Sequence, residues 1–122
     1  MYKANIRKNL INKAKRIVIK IGSAVLAGHH QSGLDSKVFH NLANSISKLK
    51  GNNREVVLVS SGAIAIGMKK MDMRERPKTI SEKQAIASIG QVSLMSMYEK
   101  AFAPLDVKVA QILLTHDDIA DK

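Results

Sequence analysis

The chain of 122 residues is 45% hydrophobic and 3% aromatic, and it contains no cysteine. This length predicts one small domain or part of a larger one, and the composition is typical of an α/β protein. The absence of cysteine excludes disulfides, cysteine-bound zinc and thiol chemistry, and it agrees with a cytoplasmic location. Since no apolar run approaches the roughly 20 residues of a membrane-spanning helix, we expect no membrane partner.

The net charge of +10 is concentrated at the amino terminus. The first 16 residues contain six lysines and arginines and no acidic residue, so the other 14 of the 20 basic residues are nearly balanced by 10 acidic ones. A strongly basic domain ordinarily suggests a nucleic-acid partner. Because the excess lies in one terminal segment, we do not expect such a partner here.

Residues 1–14 form a basic segment with apolar side chains at helical spacing, namely Tyr2, Ile6, Leu10 and Ile11. The spacing predicts a short amphipathic N-terminal extension, packed on the domain with its basic face in solvent. An organelle transit peptide is the weaker interpretation, because serine is scarce and the segment runs directly into a strand. Residues 15–122 then belong to one small domain or to part of a larger one.

The first strand is predicted over residues 16–21, and Gly22 and Ser23 follow in its exit loop. Lys20 lies near the end of this β-branched run, where burying an ammonium group is costly unless an anion meets it. Two interpretations stay open: a lysine whose head group extends into solvent, or a phosphate ligand beside a glycine that lets the phosphate approach the backbone.

The polar loop over residues 26–33 contains two histidines but does not predict a metal site. His29 and His30 are adjacent, whereas helical metal sites place histidines four residues apart, and no acidic cluster accompanies them. We expect a solvated loop and no metal bound by protein ligands.

A helix is predicted after this loop, capped by Asp35 and ended by Gly51. Its inward stripe is predicted to be Val38, Leu42, Ile46 and Leu49. The next strand, residues 56–59, is apolar on both faces, which is typical of a parallel sheet covered on both sides.

This strand stops at Ser60-Ser61-Gly62, and a helix of small residues begins and runs to about Met71. Backbone N–H groups at the carboxyl end of a strand and the amino end of a helix favour anions. The residues alone leave open whether this is an anion site or plain turn chemistry.

The last third of the chain predicts a long helix, a strand and the start of another helix. Thr79 and Glu82 read as a capping box. The helix stripe is predicted as Ile86, Ile89, Val92, Met95, Tyr98 and Phe102, with an end before Pro104. Residues 107–114 predict a third strand, and residues 115–118 the cap of a further helix. The alternation predicts a doubly wound α/β fold with a mainly parallel, incomplete sheet.

Several nucleotide and hydrolase motifs are absent. There is no Walker sequence and no Gly-x-Gly-x-x-Gly after a strand, and Val59 stands where a nucleophile elbow needs glycine. Two strand ends remain: the Lys20 segment (residues 20–23) and the Ser61 turn (residues 60–63). A parallel sheet brings both to one edge. A cation facing an anion-binding turn is a minimal geometry for phosphoryl transfer.

Four blocks of the sequence resemble, in order and spacing, those of the glutamate 5-kinases, a group within the amino acid kinase family. They are IVIKIGS at 17–23, VLVSSGAIAIG at 57–67, KQAIASIGQ at 83–91 and QILLT at 111–115. Lys-x-Gly-Ser marks only the broad family. Ser-Ser-Gly-Ala-Ile-Ala followed by the Gln-Ala…Gly-Gln helix indicates the glutamate enzymes, and the likeness covers residues 16–122.

The resemblance implies a three-layer αβα amino acid kinase fold, of which this chain is the N-terminal, glutamate-binding part. It implies ATP-dependent phosphorylation of the γ-carboxylate of L-glutamate, the first step of proline synthesis, with Mg²⁺ carried by the nucleotide. It also implies a cytoplasmic homo-oligomer at full length. Because the family's kinase domain is longer, the chain alone is expected to be inactive.

The resemblance also assigns site residues. Lys20 matches the catalytic lysine that contacts the transferring phosphoryl group, and Gly22 and Ser23 match the loop that binds the ATP phosphates beside it. The glutamate-binding turn corresponds to Ser61, Gly62 and Ala63. One departure is Ala24, where the family often has a second small hydroxyl residue, so one phosphate contact is in doubt.

Two alternatives remain. A different member of the family would phosphorylate another carboxylate or phosphate acceptor, which the Ser-Ser-Gly-Ala-Ile-Ala block argues against. A small basic nucleic-acid-binding module would lose affinity steeply with salt and on deletion of residues 1–16.

Overall fold

The computed structural model describes residues 2–27, 34–114 and 116–120. Its elements are helix α1 (Tyr2–Lys13), strand β1 (Arg16–Ile21), helix α2 (Ser23–Ala27), helix α3 (Ser36–Gly51), strand β2 (Glu55–Ser60), helix α4 (Ala63–Lys70), helix α5 (Ile80–Phe102), a 3₁₀ turn (Ala103–Leu105) and helix α6 (His116–Ala120). The alternation of strands and helices is the α/β class that the sequence predicts.

The two strands form a parallel sheet in a register that runs from Arg16 opposite Glu55 to Ile21 opposite Ser60. Isoleucine and valine dominate both strands because β-branched side chains pack well on a pleated surface. At the start of the sheet the Nε of Arg16 lies 2.6 Å from Oε2 of Glu55. Since both side chains are exposed, this ion pair contributes little to stability.

One face of the sheet covers the hydrophobic core, together with α3 and α5. The buried residues of this core cluster are Leu26, Phe39, Ala43, Ile46, Leu94, Tyr98, Ala101 and Phe102, and Ile19, Ile21, Val56 and Leu58 of the sheet pack against them. In α3 the predicted Ile46 is buried, but the centre of the stripe is Phe39 and Ala43. The predicted Val38 and Leu42 lie at its border, partly buried.

The opposite face of the sheet is open in this structure. Val18 is 64% exposed, Val57 is 47% exposed and Val59 is 48% exposed. The expectation that this sheet is covered on both sides is therefore wrong for the described part of the chain. An apolar run on both faces predicts two coverings, but the sequence does not tell which elements supply them.

Helix caps follow the sequence closely. Oδ1 of Asp35 accepts the backbone N–H of Lys37 at 2.9 Å, which confirms the predicted N-cap of α3. At α5, the capping box forms as predicted between Thr79 and Glu82. The backbone N–H groups of Thr79 and Lys78 donate to the Glu82 carboxylate at 3.0 Å and 2.8 Å. These bonds hold the pKa of Glu82 below its ordinary value.

Helix α5 buries part of the predicted stripe, namely Ile86, Tyr98 and Phe102, but not its middle. Between Ile86 and Tyr98 the buried positions are Gly90 and Leu94, at intervals of four residues, whereas the predicted Val92 is 70% exposed. Gly90 explains the shift. A Cβ there would overlap the carbonyl oxygen of Ala63, so the backbone of α4 lies directly against α5 at this glycine. Because glycine has no apolar side chain, the apolar pattern of the sequence does not indicate this contact.

Residues 107–114 do not form the predicted third strand. Val107 and Val109 are partly buried against the core, which matches the alternation of a strand. Ile112, Leu113 and Leu114 are 64–83% exposed. A strand requires a neighbouring strand for its backbone hydrogen bonds. In the described structure, residues 107–114 pair with neither β1 nor β2. Helix α6 forms after them as predicted, while the expected cap at Thr115 lies outside the described residues.

Helix α1 forms as predicted but does not pack as predicted. Ile6, Leu10 and Ile11 are exposed, so these three side chains have no covering within the described structure, and the predicted side chain of Tyr2 lies outside what the structure describes. Its carboxyl end is tied to the strand region, since Nη2 of Arg54 donates to the carbonyl of Asn12 at 3.2 Å. Among the described helices, none is long and apolar enough to cross a membrane.

Candidate functional site

The carboxyl ends of the two strands meet at one edge of the sheet. Ile21 and Ser60 are the last paired residues. Beyond them, the backbone N–H and the hydroxyl of Ser61 both donate to the carbonyl oxygen of Ile21, each at 3.2 Å. The Lys20 segment and the Ser61 turn are therefore joined by hydrogen bonds, which confirms that they lie at the same sheet edge.

Gly62 brings the two loops into contact. Its φ of 118° lies in the left-handed region, which favours glycine. A Cβ built on Gly62 would lie 3.4 Å from the Cβ of Ser23, so the Ser61 turn passes directly over the first residue of α2. Gly62 is also the N-cap of α4 and has no side chain to satisfy the first N–H groups of that helix.

The Ser61 turn offers a set of amide donors to an anion. Ser61 directs its hydroxyl and N–H to the Ile21 carbonyl, so the further amide donors of this turn are those at the start of α4. The N–H groups of a helix's first turn have no carbonyl four residues earlier in the helix, and they sit at its positive dipole end. Ala63 is the first residue of α4, and its carbonyl rests on Gly90 of α5, which fixes the direction of the helix.

Lys20 lies on the open face of the sheet, opposite Val59 in the register. It is exposed, so burial does not require an anion beside it. Among the described residues, the ion pairs are Arg16–Glu55 and Lys78–Glu75, and Lys20 takes part in neither. The structure thus keeps both interpretations of Lys20 open and places its side chain one residue before the meeting point of the strands.

Gly22 and Ser23 connect β1 to α2. A Cβ added to Gly22 would meet no atom within 4 Å, so the space beside its Cα is open to a ligand. Its carbonyl accepts the N–H groups of Val25 and Leu26 at 3.1 Å and 3.4 Å, which begins α2. The Ser23 side chain is exposed next to Gly62. These features fit a phosphate group, which needs backbone access and hydroxyl or N–H donors.

Tyr98 of α5 also reaches this edge, although its position in the sequence predicts only a core residue. Its hydroxyl lies 2.7 Å from the hydroxyl of Ser60, and its ring meets that of Phe39 edge-on at 4.9 Å. Burial raises the pKa of Tyr98, and the hydrogen bond to Ser60 partly offsets that effect. A buried tyrosine on the inward stripe of α5 needs a hydrogen-bond partner for its hydroxyl. This requirement is the feature of the sequence that could have predicted a polar contact here.

Other features lie away from this edge. In the part of the chain that the structure describes, no group of three or more His, Cys, Asp or Glu could hold a metal ion. His29 and His30 lie outside that part. An open groove of about 770 Å³ near the carboxyl end of α4 is lined by Ala65, Met68, Lys69, Asp72, Met73, Arg74 and Arg76. It includes none of the predicted site residues.

The sequence matches a known family and several known proteins. The profile of the Amino acid kinase family matches residues 15–122. The chain belongs to the amino acid kinase family. It is 49% identical over 117 residues to the glutamate 5-kinase of Citrifermentans bemidjiense. It is 48% identical over 109 residues to that of Thermus thermophilus and 47% identical over 117 residues to that of Geobacter sulfurreducens.

These matches cover most of this amino acid kinase chain and a smaller part of its relatives. They include 96%, 89% and 96% of the chain, but 31%, 29% and 31% of the three relatives. The chain therefore spans about a third of the length of the relatives it matches. The two joined loops described above both lie within the matched residues.

Proposed function

We propose that residues 15–122 form the glutamate-binding part of a kinase that transfers the terminal phosphoryl group of ATP to the γ-carboxylate of L-glutamate. The observation that carries the proposal is the junction of the Ser61 turn with the Lys20 segment, through Ser61 on the Ile21 carbonyl and Gly62 against Ser23. The names of the relatives support glutamate as the acceptor. The product, γ-glutamyl phosphate, would enter proline synthesis.

The proposed reaction needs positive charge beside the ATP phosphates and a site that holds glutamate in position for attack. A γ-carboxylate oxygen attacks the terminal phosphorus, the bond from that phosphorus to the bridging oxygen breaks, and ADP leaves with the electron pair. Lys20 is proposed to neutralise negative charge on the phosphoryl oxygens while that charge is redistributed during transfer. Mg²⁺ carried by the nucleotide would supply further charge neutralisation.

The two loops have different proposed roles. Gly22 offers open space beside its backbone and Ser23 an exposed hydroxyl, which suits the ATP phosphates. The N–H groups of Gly62 and Ala63 at the start of α4 are proposed to hold a glutamate carboxylate. The Ser61 hydroxyl can join them by leaving the Ile21 carbonyl, because the Ser61 N–H remains bonded to that oxygen.

By the same likeness, we propose that the complete protein is a cytoplasmic homo-oligomer. The chain spans 31% of the length of the glutamate 5-kinase of Citrifermentans bemidjiense, so residues 1–122 hold only part of the proposed site. Residues 1–122 alone are therefore proposed to have no kinase turnover.

The test is hydroxylamine trapping of an acyl phosphate. The product of the whole natural gene that encodes residues 1–122 is incubated with ATP, Mg²⁺ and hydroxylamine, together with glutamate, aspartate or no acceptor. We expect hydroxamate with glutamate only. Hydroxamate with another carboxylate instead would show a different acceptor within the family, and hydroxamate formed by residues 1–122 alone would contradict the proposed incomplete site.

A further inference from the structure

The buried tyrosine behind the Ser61 turn is connected to that turn by two hydrogen bonds. Tyr98 is 4% exposed, and its hydroxyl lies 2.7 Å from Oγ of Ser60. Oγ of Ser60 in turn donates to the carbonyl oxygen of Ser61 at 3.4 Å. A serine hydroxyl has one hydrogen, so the Tyr98 hydroxyl is the donor in the first bond when both bonds form.

The second bond determines the direction of a backbone donor. The described chain has no cis peptide bond, so the Ser61–Gly62 peptide is trans and planar. In such a peptide the carbonyl oxygen and the N–H point in opposite directions. Holding the oxygen of Ser61 on the Ser60 side therefore directs the N–H of Gly62 away from it.

We propose that Tyr98 is a positioning residue for glutamate: its hydroxyl, acting through Ser60, orients the Gly62 N–H toward the substrate carboxylate. The inference rests on the function proposed above. Tyr98 makes no contact with substrate in this scheme. Its role is to keep a flexible glycine-containing peptide in one orientation, which the edge-on contact of its ring with Phe39 supports.

The geometry explains why this task falls to a residue of α5. Gly62 has no side chain to restrain its own peptide, and its left-handed φ of 118° is one of several conformations that glycine adopts at low cost. Ser61 is committed to the Ile21 carbonyl by two hydrogen bonds. The hydroxyl of Ser60 is the side chain that reaches the Ser61 carbonyl, and Tyr98 fixes that hydroxyl.

The experiment compares Tyr98→Phe with Ile46→Val in the natural gene product. Tyr98→Phe removes only the hydroxyl and keeps the ring against Phe39. Ile46→Val removes one carbon from a side chain of the same core cluster and leaves the hydrogen bonds of Tyr98 and Ser60 in place. Steady-state KM for glutamate, KM for ATP and kcat are measured, with a thermal melt of each sample.

We expect Tyr98→Phe to raise KM for glutamate about threefold to tenfold, the size of one lost oriented hydrogen bond, with kcat and KM for ATP nearly unchanged. Ile46→Val should lower the melting temperature and leave all three kinetic constants near wild type. Ser60→Ala should reproduce the effect of Tyr98→Phe, and the double variant should be no worse than either single one, because both remove the same connection.

Several results would overturn the inference. They are an unchanged KM for glutamate in Tyr98→Phe, an equal change in Ile46→Val, a change confined to KM for ATP or to kcat, or additive effects of Tyr98→Phe and Ser60→Ala. Failure of the proposed function is a separate result, since the wild-type protein would then form no hydroxamate from glutamate. That outcome would remove the positioning role as well.

Discussion

Lys20 is the residue whose two interpretations kinetics can separate. Its side chain is exposed on the open face of the sheet, so Lys20→Met should leave the melting temperature near wild type. If it meets the phosphoryl group, the substitution should lower kcat about 100- to 1000-fold, or roughly 2.7–4 kcal/mol, by analogy with lost transition-state donors. Lys20→Arg should rescue poorly, because a planar guanidinium does not replace a compact ammonium.

The matched control for Lys20 is Lys48→Met, which removes an exposed lysine near the end of α3. Steady-state kinetics and melts of the natural gene product measure both variants. A Lys20→Met enzyme with a normal melt and kcat within about threefold of wild type would make Lys20 a solvent-directed strand lysine.

Ser61 illustrates how an existing hydrogen bond reduces the effect of a substitution. A charge-assisted bond to a carboxylate contributes about 1.5–3 kcal/mol, but here the hydroxyl must first leave the Ile21 carbonyl, a neutral bond of about 0.5–1.5 kcal/mol. Ser61→Ala should therefore raise KM for glutamate only about fivefold to tenfold, with KM for ATP unchanged. Ser45→Ala, which removes a hydroxyl bonded to the Asn41 carbonyl in α3, is the control. A rise in KM for ATP instead would show that the turn is assigned to the wrong substrate.

At the scale of elements, the α4–α5 contact depends on two glycines. A Cβ at Gly90 would overlap the Ala63 carbonyl, and one at Gly67 would overlap the carbonyl of Ile86. Gly90→Ala should therefore destabilise the fold by about 1–3 kcal/mol, even though alanine favours a helix by about 1 kcal/mol. Gly51→Ala is the control, because a Cβ there meets nothing within 4 Å and the substitution should be neutral or stabilising. Urea denaturation of both variants is the measurement, and equal midpoints would contradict this account of the contact.

Elements set by local chemistry could be predicted from the sequence, and elements set by distant partners could not. The strand ends, the Asp35 cap and the Thr79–Glu82 capping box each depend on neighbours within a few residues. The buried position of Leu94 in place of Val92 depends on where α4 touches α5. The same holds for residues 107–114, whose alternating pattern predicts a strand but cannot supply the neighbour that a strand needs.

The candidate site follows the same division. A parallel sheet brings the Lys20 segment and the Ser61 turn to one edge, and the sequence was sufficient to predict that. The commitment of Ser61 to the Ile21 carbonyl and the approach of Tyr98 to Ser60 were not predictable from spacing. They link residues that are 40 and 38 positions apart in the chain.

For the whole molecule, the open sheet face predicts the behaviour of residues 1–122 as an isolated chain. Val18, Val57 and Val59 form an exposed apolar strip beside two strand edges that have no partner strand among the described residues. Such a surface favours self-association. Sedimentation velocity should show concentration-dependent oligomers, and Val57→Lys should shift the population toward monomer. A chain that stays monomeric up to about 100 μM would contradict this expectation.

The double hydrogen bond from Ser61 to the Ile21 carbonyl has a mechanical consequence. The N–H bond belongs to the parallel ladder at its last pair, Ile21 and Ser60, and it remains when the hydroxyl turns to a substrate, so the two loops stay joined at the sheet edge. The distance between the proposed phosphate contacts and the proposed carboxylate contacts should therefore change little when substrates bind. Any closure that brings ATP and glutamate together has to come from parts of the protein that move toward this rigid edge.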